Sequence, residues 1–159
     1  MDLSRLGARL LQTRWLVRAP IGLFRAGLGW MLGSRILMLE HRGRRSGERR
    51  FVCLEVVERP ARDRLIIVSG FGERAQWYRN LLAEPRCFVS TGALRHVPAT
   101  ARPMSDDEAA AALDRYRERR PRDWQLLQAT IERAVGHPVE GLPMVELVLD
   151  TPAARRADA

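Results

Sequence analysis

Residues 41–50, HRGRRSGERR, carry the densest set of binding groups in this sequence: five arginines stand around Gly43, Ser46 and Gly47. Glycine leaves backbone N–H groups accessible, serine adds a hydroxyl, and each guanidinium presents a planar fork of donors. Together they suit a ligand rich in anionic oxygens. Nucleic acid, a phosphorylated cofactor and a lipid headgroup all fit that description.

Other chemistry is thinly supplied. His41, His96 and His137 are isolated, with no cysteine or acid at metal-ligand spacing. There is no G-x-S-x-G nucleophile elbow, and paired carboxylates occur only beside the helix start at Ser105–Glu108. Gly70, Gly72 and Ala75 satisfy G-x-G-x-x-A between a strand and a helix, but the next strand, RCFVSTG, turns into a hairpin and lacks the acid that would hold a ribose. A dinucleotide fold is therefore not expected. Demanding chemistry here would belong to a cofactor.

The elements that position the basic stretch follow from periodicity. Residues 3–18 put Leu6, Leu10 and Val17 on one helical face, with Pro20 closing the helix, and IGLFRAGLGWMLG suggests a short or irregular helix. RILMLEH and RFVCLEVVE predict two strands joined by the basic turn. After a turn at RPARD come the strand RLIIVS, the helix RAQWYRNLLAE and the hairpin RCFVSTG/LRHVPATAR. A capping box, Ser105 with Glu108, opens the next helix, and Pro121 and Gly136 bound another. The strand PMVELVLD is last. Six strands joined mostly by tight turns, with flanking helices, predict an α+β antiparallel barrel. Residues 1–150 read as one domain, with an N-terminal amphipathic segment over about 3–33, and 151–159 as a polar tail.

Composition narrows the partners. All 27 basic residues of the 159 are arginine, so position is more informative than count. Residues 1–50 hold eleven arginines against Asp2, Glu40 and Glu48, so the whole net charge of +8 lies there. That asymmetry favours an anionic partner at one end. Cys53 and Cys87 sit in apolar runs and read as buried free thiols of a cytoplasmic protein. Arginines interrupt any signal-peptide core, and no apolar window is long enough to span a bilayer. The aromatics are not interleaved with the basic turn as a single-strand binder would need, so nucleic acid is not the expected partner.

GRRSG, Gly43, Arg44, Arg45, Ser46 and Gly47, followed some thirty residues on by Trp77, Tyr78, Asn80 and Leu81 of WYRNL, resembles the deazaflavin-dependent nitroreductase and quinone reductase family. These are split β-barrel proteins that use coenzyme F420, and the resemblance runs from about Trp15 to Asp150. It implies that the basic turn and Ser69, Gly70, Phe71 and Gly72 grip the cofactor's phosphate and polyglutamate tail, with Trp77, Tyr78 and Asn80 beside it. FMN is the lesser alternative. Relatives set tyrosines from the late helical region against the substrate. Here that region is RERRPRDWQ, which leaves Tyr116 and Trp124 as the substrate-binding candidates. The resemblance implies hydride transfer from reduced F420 to a small acceptor such as a quinone or nitro compound, with no side chain catalytic in its own right. A noncatalytic binding protein, for deazaflavin, nucleic acid or anionic lipid, is the alternative. The N-terminal segment's arginines and apolar face also suit peripheral attachment to the inner face of an anionic membrane. The residues do not assign an oligomeric state.

Overall fold

The computed structural model describes residues 20–136, 138 and 141–152. The helix expected over residues 3–18 and most of the polar tail lie outside the described residues. Residues 20–25 are helical and lead into a 3-10 turn, Gly29–Leu32, which matches the irregular segment expected of IGLFRAGLGWMLG.

Six strands follow: β1 (Ile36–Arg42), β2 (Arg49–Ala61), β3 (Arg64–Val68), β4 (Arg86–Thr91), β5 (Leu94–Pro103) and β6 (Met144–Leu149). They close into a barrel in the order β1-β2-β3-β6-β5-β4, with every pair antiparallel. The helices are α1 (Gln76–Ala83), α2 (Asp106–Arg119) and α3 (Pro121–Val135). The split-barrel α+β class expected from the sequence is the class found.

Strand alternation explains how one barrel supports two apolar layers. Leu65 and Ile67 of β3 point into the barrel with Leu37, Leu39, Val89 and Leu147. Ile66 and Val68, one residue out of phase, meet Leu113, Tyr116 and Trp124 beneath α2 and α3. A strand covered on both faces has no polar phase, which is why RLIIV reads as an unbroken apolar run. Leu81 of α1 joins the inner cluster, so α1 is held against the barrel by its apolar face.

The caps are those the sequence signals. Ser105 Oγ accepts from the Glu108 N–H at 3.2 Å, and the Glu108 carboxylate accepts from the Ser105 N–H at 2.8 Å. Gly136 ends α3 in the left-handed region at φ 78°. The turn expected over RPARD is shorter than predicted. β2 runs on through Pro60 to Ala61, and its pairing with β3 shifts register between Val56 and Glu58 and again between Glu58 and Ala61. Those irregularities let a residue without an N–H sit inside a strand, which residue-by-residue propensity does not foresee.

Cys87 is buried and Cys53 is half-buried. Burial pushes the Cys53 thiol up to about 11 and that of Cys87 to about 12, so both stay protonated and unreactive at neutral pH.

Candidate functional site

The β1–β2 hairpin presents the basic turn. The register sets His41 opposite Arg50 and Arg42 opposite Arg49, leaving residues 43–48 to make the reversal. Gly43 N–H donates to the Glu48 carbonyl at 2.9 Å, and Gly47 N–H to the Gly43 carbonyl at 2.7 Å. Gly47 has φ 69°, a conformation that favours glycine, and a Cβ on Gly43 would stand 2.8 Å from Ser46 Oγ and displace that hydroxyl. Ser46 Oγ accepts from the Glu48 N–H at 3.2 Å and stiffens the loop from inside.

Asn80, the chain's single asparagine, ties α1 to this turn. Its side-chain Oδ1 accepts from the Arg44 backbone N–H at 3.1 Å and from the Arg44 guanidinium at 2.9 Å. Its Nδ2–H donates to His41 Nδ1 at 3.2 Å. Gln76, one helical turn earlier, accepts from the same guanidinium at 2.9 Å. Asn80 is 5% exposed, so these bonds satisfy a buried amide that would otherwise be costly. Nδ1 of His41 must accept, which fixes a neutral ring. Desolvation, with repulsion from Arg50 added, brings the His41 pKa down to about 4.

Between turn and helix lies a cleft of about 470 Å³ lined by His41, residues 43–46, Arg50, Phe51, Val52, Gln76, Trp77 and Asn80. Its charge is uncompensated where it matters. Among the described residues, Arg44 bonds only to neutral amides, and Arg45 meets no carboxylate. Desolvation first, then the like charges of Arg79 and Arg45, lower the Arg44 pKa. Three guanidiniums crowded without an acid form a site an anion would relieve.

The other expected site residues are distributed unequally. Trp77 forms a wall of the cleft and packs edge-on against Tyr78, with ring centroids 6.0 Å apart. Tyr78 turns away into the barrel core. Ser69, Gly70, Phe71 and Gly72 make the β3–α1 connection and do not line the cleft. Ser69 is fully buried and its hydroxyl donates to the Gly72 carbonyl at 2.6 Å, while Phe71 is 65% exposed. Tyr116 and Trp124 are not brought to the cleft either. They pack with Val57, Ile66 and Val68 under α2 and α3, because the β3 side chains pointing out of the barrel need an apolar cover. The Tyr116 hydroxyl donates to Glu55 at 2.8 Å, and Arg117 sits over the Trp124 ring at 4.5 Å.

Sequence reasoning missed a second cluster. Glu40, on the outer face of β1, is 5% exposed and accepts from Arg49 through Nε at 2.7 Å and a terminal nitrogen at 3.0 Å. His96 Nε2–H donates at 2.9 Å to Oε2, the oxygen that also accepts from the Arg49 terminal nitrogen, and the imidazole stacks on Phe88 with centroids 4.1 Å apart. Arg49, more than desolvation opposes it, lowers the Glu40 pKa. His96 has φ 49°, alone among described non-glycine residues in having positive φ. One signal was available: Glu40 is the single acid of β1 and directly follows its apolar run ILML.

The comparisons with known proteins complete the site's setting. A family model described as F420H(2)-dependent quinone reductase matches residues 14–154. A protein of Mycobacterium tuberculosis (strain ATCC 25618 / H37Rv), Rv3178, provisionally named an F420H(2)-dependent quinone reductase, is 35% identical over 88 residues, covering 54% of this chain and 72% of that protein. Among solved structures, Atu2129 of Agrobacterium tumefaciens str. C58, described as of unknown function, superposes with TM-score 0.53 at 17% identity over 84% of this chain and 56% of its own. HutZ, described as a heme storage protein of Vibrio cholerae, superposes with TM-score 0.52 at 11% identity over 77% of this chain and 86% of its own. These two likenesses establish the fold alone.

Proposed function

The chain belongs to the F420H(2)-dependent quinone reductase family, and from that premise we propose that its basic cleft holds the anionic tail of reduced F420 while the protein directs a hydride to an electron-poor acceptor, a quinone before a nitro compound. The family makes it an F420-dependent reductase and F420 its cofactor; the residue roles and the acceptor are the reading offered here. One observation carries it: Arg44 and Arg45 stand beside Arg79 without a carboxylate partner, on a turn pinned by Asn80.

The residues fit the group. A phosphodiester and several carboxylates need forked donors at fixed spacing, which Arg44, Arg45 and Arg50 supply, with the Trp77 ring as an apolar wall. The Arg44 backbone is held by Asn80, so little ordering cost remains when an anion arrives. His41 stays neutral and leaves the positive field to the arginines. When bound, F420 supplies the hydride chemistry itself. The chain's part is to bind, orient and shield. Ser69–Gly72 enters as support for the start of α1, and Tyr116 and Trp124 as packing.

Fluorescence titration with F420 beside FMN tests this. The Arg44→Ala/Arg45→Ala protein should bind F420 at least about tenfold more weakly, since two charge-assisted contacts are lost. Unchanged affinity in that variant would remove the turn from the site. Turnover of bound F420H2 separates a reductase from a deazaflavin carrier.

A further inference from the structure

A second groove, also of about 470 Å³, runs along the outer face of β1, β4 and β5 beneath residues 24–30. Its apolar walls are Phe24, Trp30, Met38, Phe51 and Leu94, and its polar side is Glu40, Arg49 and His96. Phe51 borders both this groove and the basic cleft. The alternation of β2 explains the shared wall: Arg50 and Val52 line the cleft and Arg49 the groove, with Phe51 at the edge between them. Arg25 and Arg49 lie over the Phe51 ring, 5.6 and 5.8 Å from its centroid. The roof is attached, because Arg95 donates to the Gly27 carbonyl at 2.8 Å and Phe24 packs directly on Gly29.

His96 is set into this groove at a structural cost. β5 spends two residues, Arg95 and His96, opposite Ser90 of β4, between the pairs Val89↔Val97 and Thr91↔Leu94. At that bulge His96 takes its left-handed backbone, and its N–H donates to Ser90 Oγ at 3.0 Å. Bulges and strained non-glycine residues re-aim side chains and concentrate at functional positions. With Nε2–H committed to Glu40, Nδ1 is the ring nitrogen left to exchange a proton with a ligand. Glu40 is in turn fixed by Arg49, and in register it lies between Phe51 of β2 and Phe88 of β4.

Resting on the F420 reading of the neighbouring cleft, we propose that this groove is the acceptor site. It takes a planar quinone-class diketone against Phe51 and Trp30, and His96 supplies the proton that completes its reduction. The quinone gains a hydride from the reduced cofactor, which is thereby oxidised and releases its remaining proton to solvent. The hydroquinone anion then takes the proton from His96 Nδ1, an O–H bond forming as the N–H bond breaks. The half-exposed imidazole is reprotonated from water.

The test uses the full chain, with menadione titrated calorimetrically in the presence and absence of saturating oxidised F420. Trp30→Ala should weaken menadione binding about tenfold while leaving F420 affinity unchanged. Met31→Ala, exposed and outside the groove, should change neither. Arg44→Ala/Arg45→Ala should show the reverse pattern. Equal menadione affinity in parent and Trp30→Ala, or loss in the arginine variant instead, would overturn the groove as acceptor site. His96→Gln should keep menadione binding but slow single-turnover reduction about a hundredfold. Glu40, Arg49, Arg25 and Arg95 are the charged groups facing it, and all remain in that variant. A parental rate in His96→Gln would overturn its role as donor. Failure of the parent to bind F420 would sink the cofactor reading alone, because the menadione arm without cofactor still decides the groove.

Discussion

Asn80 and His41 show how much one buried amide can set. Removing the Asn80 side chain leaves the Arg44 N–H and the buried His41 Nδ1 without their partner, and leaves the Arg44 guanidinium with Gln76 alone. Asn80→Ala should therefore cost about 2–3 kcal/mol in urea unfolding and weaken F420 binding as well. Unaltered stability would mean the amide is not the clamp described. His41 gives a pH signature. Its folded pKa of about 4 lies below its ordinary value of 6.5, so between those values the unfolded chain holds a proton that the folded chain does not. Stability from this group is present above pH 6.5 and falls as pH drops through about 4, by about 3 kcal/mol in all. Glu40, also lowered, acts in the same direction but only in the carboxylate range. Unfolding of parent and His41→Gln across pH 4–7 checks this: the slope in that window should flatten in the variant.

At the scale of elements, the 3-10 turn after the helical residues 20–25 exposes Leu28, Trp30 and Met31, at 41%, 60% and 62%, between the exposed Arg25 and Arg35. Apolar side chains rimmed by arginine suit an anionic bilayer surface, where lipid-soluble acceptors are also found. No helix among the described residues is long and apolar enough to cross a membrane, so attachment here would be peripheral. Flotation with anionic vesicles should be salt-sensitive and should weaken in Leu28→Ser/Met31→Ser. Flotation equal for neutral and anionic vesicles would contradict it. Much at this scale was legible beforehand. β1, β3, β4, β5, β6 and the three helices follow from apolar period, glycine turns and the Ser105–Glu108 box. The extension of β2 through Pro60 was not, because bulges depend on the partner strand. The family resemblance implied Tyr116 and Trp124 as substrate contacts, and the outward apolar phase of β3 packs both beneath α2 and α3. The Glu40–His96 pair spans 56 residues, and only barrel closure through β1–β4 and β4–β5 pairing brings it together.

Across the whole molecule, the +8 charge falls within the first fifty residues of the sequence, and Arg44, Arg45 and Arg50 of that stretch line one cleft, while much of the barrel's remaining charge is paired, as in Glu58 with Arg115 or Glu146 with Arg102. Unpaired charge at one place is what a long anionic cofactor would use, and it ties affinity to ionic strength. The most direct measurement is the affinity of F420 against that of FMN across a salt series, in parent and Arg44→Ala/Arg45→Ala proteins. Tight F420 binding that weakens steeply with salt, exceeds FMN binding and loses most of its salt dependence in the variant is the predicted result. Equal affinity for both cofactors, or F420 binding indifferent to salt and to both arginines, would contradict it.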